Sequence, residues 1–383
     1  MRIALVHSFY TEASPSGENS IVELSARILL EAGHEVRIFG RRTDDVSGGP
    51  LYKVQSGIRV ATGAGYSPSP ELQRFAPDVV HVHNLFPNFG TRWISEWVPR
   101  VVSTLHNFRS MCANGLLYRD GRTCMDCPNG SRTSAIRHAC YRDSRIATLP
   151  LAARNSRGLT HDAVLSHSTR VIVLSDVARD LFIRFGGPPD RMVVLPNGVP
   201  GGSRRAAQRG NGRWLVVGRL SPEKGIGQLV DDWPESAEVD VVGDGPEADS
   251  IRARVPAGVR MLGSLPRSEL LTRMADYEGL IFPSVCLEMQ PTAVIEAMSI
   301  GVPVVAREGN AGADLVRRFG AGVVFQGRAD LESSLWRARG GREAMGSAGR
   351  TAYLAHYSPD RWLAAVEDLY THVARDATQN GLM

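Results

Sequence analysis

The residues with the clearest chemistry surround one predicted helix start. Glu288 and Glu296 bracket it, Pro291 stands at its first turn and Gly301 ends it. Proline is favoured in a first turn, where a missing N–H costs nothing. The backbone N–H groups of residues 289–293, except Pro291, are therefore free for an anion such as a diphosphate. The carboxylates can accept hydrogen bonds from sugar hydroxyls. Glu296 has apolar neighbours, which predicts a buried carboxylate with a partner.

Two cations follow a strand predicted at residues 214–218. Arg219 and Lys224 stand in the turn after Gly218. Both can reach a diphosphate, the arginine as a planar fork and the lysine as a point charge. Taken alone, the segment fits two exposed surface cations equally well. The strand-to-helix turn at residues 243–247 is a weaker signal, because such turns close many α/β units.

In the first half, candidate ligand-binding residues follow predicted strands. His106 and Asn107 come after the strand at residues 101–105, and His83 and Asn84 end the strand at residues 79–82. Ligands of open α/β sheets bind beyond the carboxyl ends of the strands. We interpret His83 and Asn84 as candidate walls of a cleft and His81 as structural.

A loop at residues 14–19 enters the first predicted helix, which spans residues 18–32. Gly17 gives this loop freedom to present N–H groups to a phosphate, and Glu18 follows it. An equally weighted interpretation is a plain helix start capped by Ser16.

Four cysteines are clustered, and Cys124 and Cys127 form a C-x2-C pair. Four thiols can close a tetrahedral zinc site, although this spacing is not that of a standard zinc finger. Free thiols are an equally good interpretation, and an iron–sulfur or redox pair is a third. The candidate ligands are Cys112, Cys124, Cys127 and Cys140.

Short β-branched runs alternate with helical stretches through the chain, which predicts parallel sheets of the α/β class. Runs at residues 2–7, 35–39, 79–82, 101–105, 170–174 and 192–195 are followed by a second set at 214–218, 239–242, 280–282 and 303–306. We predict a domain at residues 1–200 with a Cys-rich insertion at 107–141, and a linker at 201–212. A second domain follows at 213–356, with a C-terminal helix at 357–383 that packs back on the first domain.

Bulk composition excludes several classes of protein. The net charge of the 383 residues is +4, without a dense basic tract, which argues against a nucleic-acid binder. No apolar run reaches transmembrane length, and the N-terminus lacks the apolar region of a signal peptide. We therefore predict a cytoplasmic protein. No G-x-G-x-x-G follows the first strand, which disfavours a nicotinamide enzyme.

The ordered set of motifs resembles the family-4 retaining glycosyltransferases of the GT-B fold. The set comprises Leu195-Pro196-Asn197-Gly198-Val199, the turn with Arg219 and Lys224, the turn at 243–247, and the Glu288-x7-Glu296 segment. The resemblance covers nearly the whole chain and implies two Rossmann-like domains facing a cleft. The family often has Phe-Gly after the first Glu, where this chain has Met289-Gln290. The motif therefore does not identify the donor sugar.

The resemblance also implies roles for the candidate residues. Arg219 and Lys224 would neutralise the donor diphosphate, and Glu296 would bind the ribose. Glu288 would grip the transferred sugar together with the amides of Met289, Gln290 and Thr292. His106 would meet the donor sugar. Gly17 and Gly218 would line the donor site, and acceptor-side candidates are Glu18, His83, Asn84 and Asn107.

The implied reaction moves a hexose-type sugar from a UDP- or GDP-linked donor, with retention, to a glycan, lipid-linked or small-molecule acceptor. The family requires no metal for its chemistry, and no Asp-x-Asp motif occurs in the chain. A nucleotide-sugar epimerase of the same fold and a non-catalytic sugar-nucleotide-binding module are the alternatives. The mild positive charge leaves room for peripheral contact with the inner membrane face.

Overall fold

The computed structural model describes residues 1–11, 17–131, 133–202 and 210–379. Within them the chain forms two compact units. Unit 1 comprises Met1–Leu117, Met125–Asn197 and Trp362–Met383, and unit 2 comprises Tyr118–Cys124 and Gly198–Arg361. Ser16, the predicted cap, lies outside the described residues, as does the rest of its loop from residue 12. Most of the predicted linker, residues 203–209, lies outside them as well.

Fourteen strands occur in the described part of the chain. They are β1 (Arg2–Phe9), β2 (Glu35–Arg42), β3 (Val79–Asn84), β4 (Val101–Thr104), β5 (Tyr118–Arg119), β6 (Arg122–Thr123), β7 (Arg170–Val173), β8 (Met192–Val194), β9 (Arg213–Val217), β10 (Glu238–Val242), β11 (Val259–Gly263), β12 (Leu280–Phe282), β13 (Val304–Arg307) and β14 (Gly322–Phe325). The short pair β5–β6 is antiparallel, and all the others pair in parallel.

Sixteen α-helices connect and cover these strands in the described residues. They are α1 (Gly17–Glu31), α2 (Thr43–Val46), α3 (Tyr52–Thr62), α4 (Ser69–Phe75), α5 (Ser134–Arg137), α6 (Arg145–Asn155), α7 (Ala163–His167), α8 (Asp176–Arg184), α9 (Ile226–Asp231), α10 (Ala248–Arg252), α11 (Arg267–Met274), α12 (Thr292–Ile300), α13 (Ala311–Phe319), α14 (Arg328–Gly340), α15 (Arg342–His356) and α16 (Pro359–Gln379). None of them has the length and apolar character needed to cross a bilayer.

The sheet of unit 1 has the strand order β2-β1-β3-β4-β7-β8. Strand β1 is central and buried, with Ile3 paired beside Val36 on one side and Val79 on the other. From β1 the chain goes outward to β2 and then returns to β3 on the opposite side. The order therefore reverses between β1 and β3, and the carboxyl ends of these two strands form a topological switch point, where such sheets bind ligands.

The sheet of unit 2 has the order β11-β10-β9-β12-β13-β14, so its switch point lies between β9 and β12. Leu215 and Leu280 are paired there and are fully buried. Helices cover both faces of this sheet, with separate apolar clusters on the two sides. The two parallel sheets confirm the predicted α/β class.

Helix α16 presents a buried stripe of Trp362, Val366, Tyr370 and Val373, which recurs at helical spacing. From Trp362 onward the helix belongs to unit 1. There the Tyr370 hydroxyl is 2.6 Å from Nδ1 of the buried His81. This helix therefore reaches the sheet of unit 1 at strand β3.

Candidate functional site

Two glycines shape the turns at the switch point of unit 2. Gly243 follows β10, and a Cβ at that position would lie 1.8 Å from the carbonyl oxygen of Gly218. Gly225 has a φ of +66°, and a Cβ there would lie 2.4 Å from the carbonyl oxygen of Pro283. Any side chain at either position would collide with backbone. The turns after β9, β10 and β12 can therefore approach closely only because these positions are glycine.

Lys224 and Glu288 meet directly at this switch point. Lys224 Nζ donates to Glu288 Oε1 at 2.7 Å, and the Ser284 hydroxyl donates to the same oxygen at 2.8 Å. Burial disfavours the charged ammonium, but the attraction of Glu288 outweighs it and raises the pKa of Lys224. Oε2 of Glu288 accepts no hydrogen bond from the described residues. One carboxylate oxygen is thus fixed in place and the other is available.

The start of helix α12 completes this site. Pro291 precedes the helix, and no side chain caps it. The N–H groups of Thr292 and Ala293 find no acceptor in the described part of the chain, as expected for a first helical turn. Arg219 is exposed, and its guanidinium has no carboxylate partner within that part either. Six of the predicted donor residues line a cavity of about 260 Å³ here, namely Gly218, Arg219, Lys224, Glu288, Gln290 and Thr292. Two others, Met289 and Glu296, are buried and are not part of this lining.

Glu296 lies buried in α12, and Arg267 Nε donates to its Oε1 at 2.7 Å. Burial raises the pKa of this carboxyl, although the Arg267 charge opposes the shift. The apolar neighbours of Glu296 predict that it has a partner, but they do not identify Arg267. That residue begins α11, 29 positions upstream, and no local pattern in the sequence connects the two.

In unit 1, three of the predicted residues are hydrogen-bonded at the switch point. The side-chain amide of Asn107 donates to Oε1 of Glu18 at 2.6 Å, and the side-chain amide of Asn84 donates to Oε2 of Glu18 at 3.3 Å. The Asn84 amide also donates to the hydroxyl of Tyr10 at 3.0 Å. Burial and the Glu18 charge raise the pKa of Tyr10, so it stays a neutral phenol. Tyr10 is not among the residues predicted from the sequence, where its only signal is its place just after β1. Gly17, the first residue of α1, is exposed beside this group.

His106 is joined to a second predicted residue in a buried histidine cluster. Nε2 of His106 is 3.0 Å from Nδ1 of His83, and the rings are stacked. Burial lowers the pKa of His106 to about 4 and that of His83 well below its usual value. His7 contacts the edge of the same group, and burial lowers its pKa to about 4. These imidazoles are therefore neutral at pH 7.

His81 lies deeper and is bonded on both ring nitrogens, to Tyr370 through Nδ1 and to Thr104 through Nε2 at 2.7 Å. Burial, with a smaller effect of His106, lowers its pKa to about 3. The pKa of an exposed imidazole is 6.5. We therefore expect the contribution of neutral His81 to the stability of the fold to be complete above pH 6.5. Between pH 6.5 and 3 the unfolded chain binds the extra proton, so stability falls with falling pH by about 1.4 kcal/mol per pH unit for this group.

We predict that His81→Asn lowers stability at pH 7.5 by about 1–3 kcal/mol, because the Tyr370 and Thr104 hydroxyls lose partners. The same variant should show a shallower loss of stability between pH 6.5 and 4.5. Urea unfolding at a series of pH values measures both effects. An exposed histidine, His372, supplies the control variant His372→Asn, whose pH dependence should match the wild type. Parallel pH curves for His81→Asn and the wild type would contradict this assignment.

All five cysteines lie in the described residues, and none is in a disulfide. The structure does not assemble the four clustered cysteines, Cys112, Cys124, Cys127 and Cys140, into a metal centre. In the ranges that it describes, no three His, Cys, Asp or Glu side chains are grouped to hold an ion. Cys127 and Cys140 pack instead against an apolar cluster around Leu151. The zinc site stays a prediction of the sequence.

Comparisons with known proteins agree with this architecture. Residues 16–198 match the family model "Glycosyl transferase 4-like domain", and residues 211–339 match "Glycosyl transferases group 1". The chain is 27% identical over 330 residues to the GPI3 subunit of phosphatidylinositol N-acetylglucosaminyltransferase from Saccharomyces cerevisiae. The matched region covers 80% of this chain and 68% of that protein.

Two solved structures share the fold at low identity. Sucrose-phosphate synthase from Thermosynechococcus elongatus has a TM-score of 0.69 and 16% identity, covering 97% of this chain and 98% of that one. Anabaena HepE in complex with UDP and glucose has a TM-score of 0.62 and 16% identity, covering 97% and 100% of the two chains.

Proposed function

Because the chain belongs to the family-4-like glycosyltransferases of the GT-B fold, we propose that unit 2 binds the donor, a hexose linked to UDP or GDP. The observation that carries this proposal is the convergence of Lys224, Glu288 and an uncapped helix start on one cavity at the switch point of the sheet. HepE, which shares the fold, is a complex with UDP and glucose. The proposal requires no metal for the reaction.

The donor diphosphate would lie at the start of α12. The N–H groups of Thr292 and Ala293, the Lys224 ammonium and the exposed Arg219 supply positive charge there. Negative charge grows on the diphosphate as its bond to the sugar breaks, and fixed positive groups stabilise it in the transition state. Stabilisation of this leaving group is the main catalytic contribution that we assign to unit 2.

The two glutamates would bind hydroxyl groups of the donor. In each, one carboxylate oxygen is held by a cation, Lys224 for Glu288 and Arg267 for Glu296. The second oxygen of each accepts no hydrogen bond from the described residues, so it can accept one from a hydroxyl. We assign Glu296 to the ribose and Glu288 to the transferred sugar, together with the amides of Met289, Gln290 and Thr292.

We further propose that transfer retains the anomeric configuration. Both glutamates are assigned to binding, so neither is left as the nucleophile of a two-carboxylate glycosidase mechanism. The acceptor oxygen would attack from the face that the diphosphate leaves, and a phosphate oxygen would take its proton. His106, neutral at pH 7, would contact the donor sugar. Glu18, His83, Asn84 and Asn107 are the acceptor-side residues of this proposal. The reaction would take place in the cytoplasm, at the inner membrane face if the acceptor is a lipid.

Thermal shift with a panel of UDP- and GDP-sugars tests the donor site. At 100 times its Kd, a donor should stabilise the wild type by about 2.7 kcal/mol. We expect Glu296→Ala to bind about 10–100-fold more weakly, because a hydrogen bond to a charged group contributes about 1.5–3 kcal/mol. Glu269→Ala is the matched control, since Glu269 forms only an exposed ion pair with Arg273.

An unchanged donor-dependent shift in Glu296→Ala would refute the assignment of the ribose site. The reaction products separate the proposal from its alternatives. Conversion of the donor to an isomeric nucleotide sugar without any acceptor would identify an epimerase, and binding without turnover in any acceptor mixture would identify a binding module.

A further inference from the structure

Unit 1 contains a second cavity, of about 380 Å³, beside His106. His83, Asn84 and Asn107 line it as well. The rest of its wall is strongly cationic, with five arginines contributed by separate segments of unit 1. They are Arg59, Arg92, Arg109, Arg154 and Arg157.

These five positive charges outnumber the acidic groups of the described wall. None of the five guanidiniums forms an ion pair with a carboxylate of the described residues. Asp162 is the single acidic residue in the described lining, and its charge acts on Arg154 without forming an ion pair. Its Oδ1 accepts the N–H groups of Val164 and Leu165 and so caps helix α7.

The inner arginines are held rigidly by neutral partners. Arg109 donates to the carbonyl oxygen of Ala113 at 3.2 Å, and its guanidinium stacks 4.5 Å from the centre of the Phe86 ring. Arg154 in turn donates to the carbonyl oxygen of Arg109. Arg59 donates to the carbonyl oxygen of Pro87 at 2.8 Å. The guanidiniums are therefore fixed before any ligand arrives.

Two donors of this set are buried without any acceptor in the described part of the chain, the Nε–H groups of Arg59 and Arg109. Burial also lowers the pKa of Arg154 and of Arg59. The Asp162 charge opposes this shift in part at Arg154, while the neighbouring Arg109 adds to it, as Arg41 does at Arg59. A buried donor without an acceptor is unfavourable. A bound anion would remove this cost, and guanidinium forks match phosphate oxygens in geometry.

We propose that this cavity is the acceptor subsite, and that it selects an acceptor carrying a phosphoryl group on a lipid. The inference rests on the proposed transferase function. The phosphoryl oxygens would pair with Arg59, Arg109 and Arg154, with Arg92 and Arg157 at the exposed rim. The acceptor would then lie beside His106. Its hydroxyl oxygen would bond to the anomeric carbon while the bond from that carbon to the diphosphate oxygen breaks, and the hydroxyl proton would leave with the nucleoside diphosphate.

The surface around two of these arginines indicates a lipid as the source of the phosphoryl group. Arg59 is on α3 and Arg154 on α6, and the two helices pack against each other. Both expose apolar side chains to solvent, at helical spacing on each. They are Leu51 just before α3, Val54 and Ile58 on α3, and Ile146 and Leu149 on α6.

This apolar surface suits the interfacial region of a bilayer. Ile146 is 80% exposed, the most exposed large apolar residue in the described ranges. The exposed cations Lys53 and Arg145 stand next to Val54 and Ile146 in the sequence. Helices with an apolar face and flanking cations lie in the plane of an anionic membrane surface. A lipid phosphate held in the cavity would place its chain at this surface.

Titration calorimetry with inorganic pyrophosphate tests the cavity. The wild type should show two binding components, one in each unit. Arg59→Gln and, at the rim, Arg157→Gln should each weaken the component of unit 1 at least tenfold, whereas Lys224→Ala should remove only the component of unit 2. Arg74→Gln, an exposed arginine of unit 1 outside the cavity, is the control.

The two proposals fail in different ways in this experiment. Retention of full pyrophosphate binding by both Arg59→Gln and Arg157→Gln would overturn the phosphoryl subsite, and leave the donor site intact. Retention of both components by Lys224→Ala would instead contradict the donor site. Circular dichroism of each variant identifies any loss of fold, and the exposed Arg157 gives a result even if Arg59→Gln misfolds.

Vesicle sedimentation tests the lipid source. We expect binding to phosphatidylcholine vesicles that contain dodecyl phosphate, weaker binding to pure phosphatidylcholine, and loss of binding in the double variant Ile146→Ser, Leu149→Ser. That variant should keep its affinity for pyrophosphate. If soluble glucose 1-phosphate binds as tightly as dodecyl phosphate and the double variant sediments like the wild type, the acceptor is a water-soluble phosphate and the lipid assignment is wrong.

Discussion

Lys224→Ala should lower kcat for sugar transfer about 100–1000-fold, the usual loss when one preorganised group that stabilises the departing charge is removed. The structure gives a second reason for a large effect. Lys224 also fixes Oε1 of Glu288, so its loss frees the carboxylate that we assign to the sugar. Lys224→Arg should restore only part of the rate, because a planar fork cannot replace a point charge at this distance.

The measurement is the initial rate of nucleoside diphosphate release with the best donor and an acceptor mixture. Arg252→Ala, which removes an exposed cation of unit 2 outside the donor site, is the control. Lys53 and Lys224 are the only two lysines of the chain. In Lys53→Arg, Lys224 is the sole lysine. After reductive 13C-methylation its NMR signal should titrate above the usual lysine pKa, in the direction that the Glu288 charge imposes. A signal that UDP and GDP leave unmoved would exclude Lys224 from the diphosphate site.

Much of the scaffold around Lys224 could be predicted, because its signals are local. Buried parallel strands are short runs of β-branched residues, and the helix start at Pro291 is defined by three or four neighbouring residues. Strands β11 and β14 were not predicted. Both are edge strands. In β11 the charged Arg260 interrupts the apolar residues, whereas β14 has the apolar run Val323-Val324-Phe325, a local signal that the prediction did not use.

The pairings within the sites could not be read from the sequence, because they join distant segments. From the sequence, Lys224 is predicted to bind the diphosphate and Glu288 the sugar as separate residues, whereas the two side chains are in direct contact, 64 positions apart in the chain. The partner of Glu296 and the arginine cluster of unit 1 are likewise products of tertiary folding. In an arginine-rich chain, no local pattern distinguishes Arg59 or Arg109 from the arginines on the surface.

Asp240→Ala should cost unit 2 about 3–5 kcal/mol of folding free energy, the usual penalty for removing one partner of a buried ion pair. Asp240 is 2% exposed in the central part of β10. It accepts from Arg213 Nε at 2.6 Å, from Arg260 Nη2 at 2.7 Å and from the Tyr277 hydroxyl at 2.9 Å. These donors come from β9, β11 and the segment before β12, so one carboxylate joins the strands whose ends carry the donor site.

Denaturant unfolding measures this penalty, with Asp249→Ala as the control. Asp249 pairs with Arg252 on an exposed helix surface, where the loss should stay below about 1 kcal/mol. The loss of folding free energy in Asp240→Asn should lie between the losses in Asp240→Ala and Asp249→Ala, because the amide oxygen still accepts hydrogen bonds but the charge is gone.

Burial works against the charged carboxylate of Asp240, but its three donors lower its pKa below the usual 3.8. Its stabilisation is therefore complete above pH 3.8 and is lost as the pH falls through the lower folded value. Equal stability of Asp240→Ala and Asp249→Ala at pH 7 would contradict this prediction. Apolar packing alone would then align the strands at the donor site.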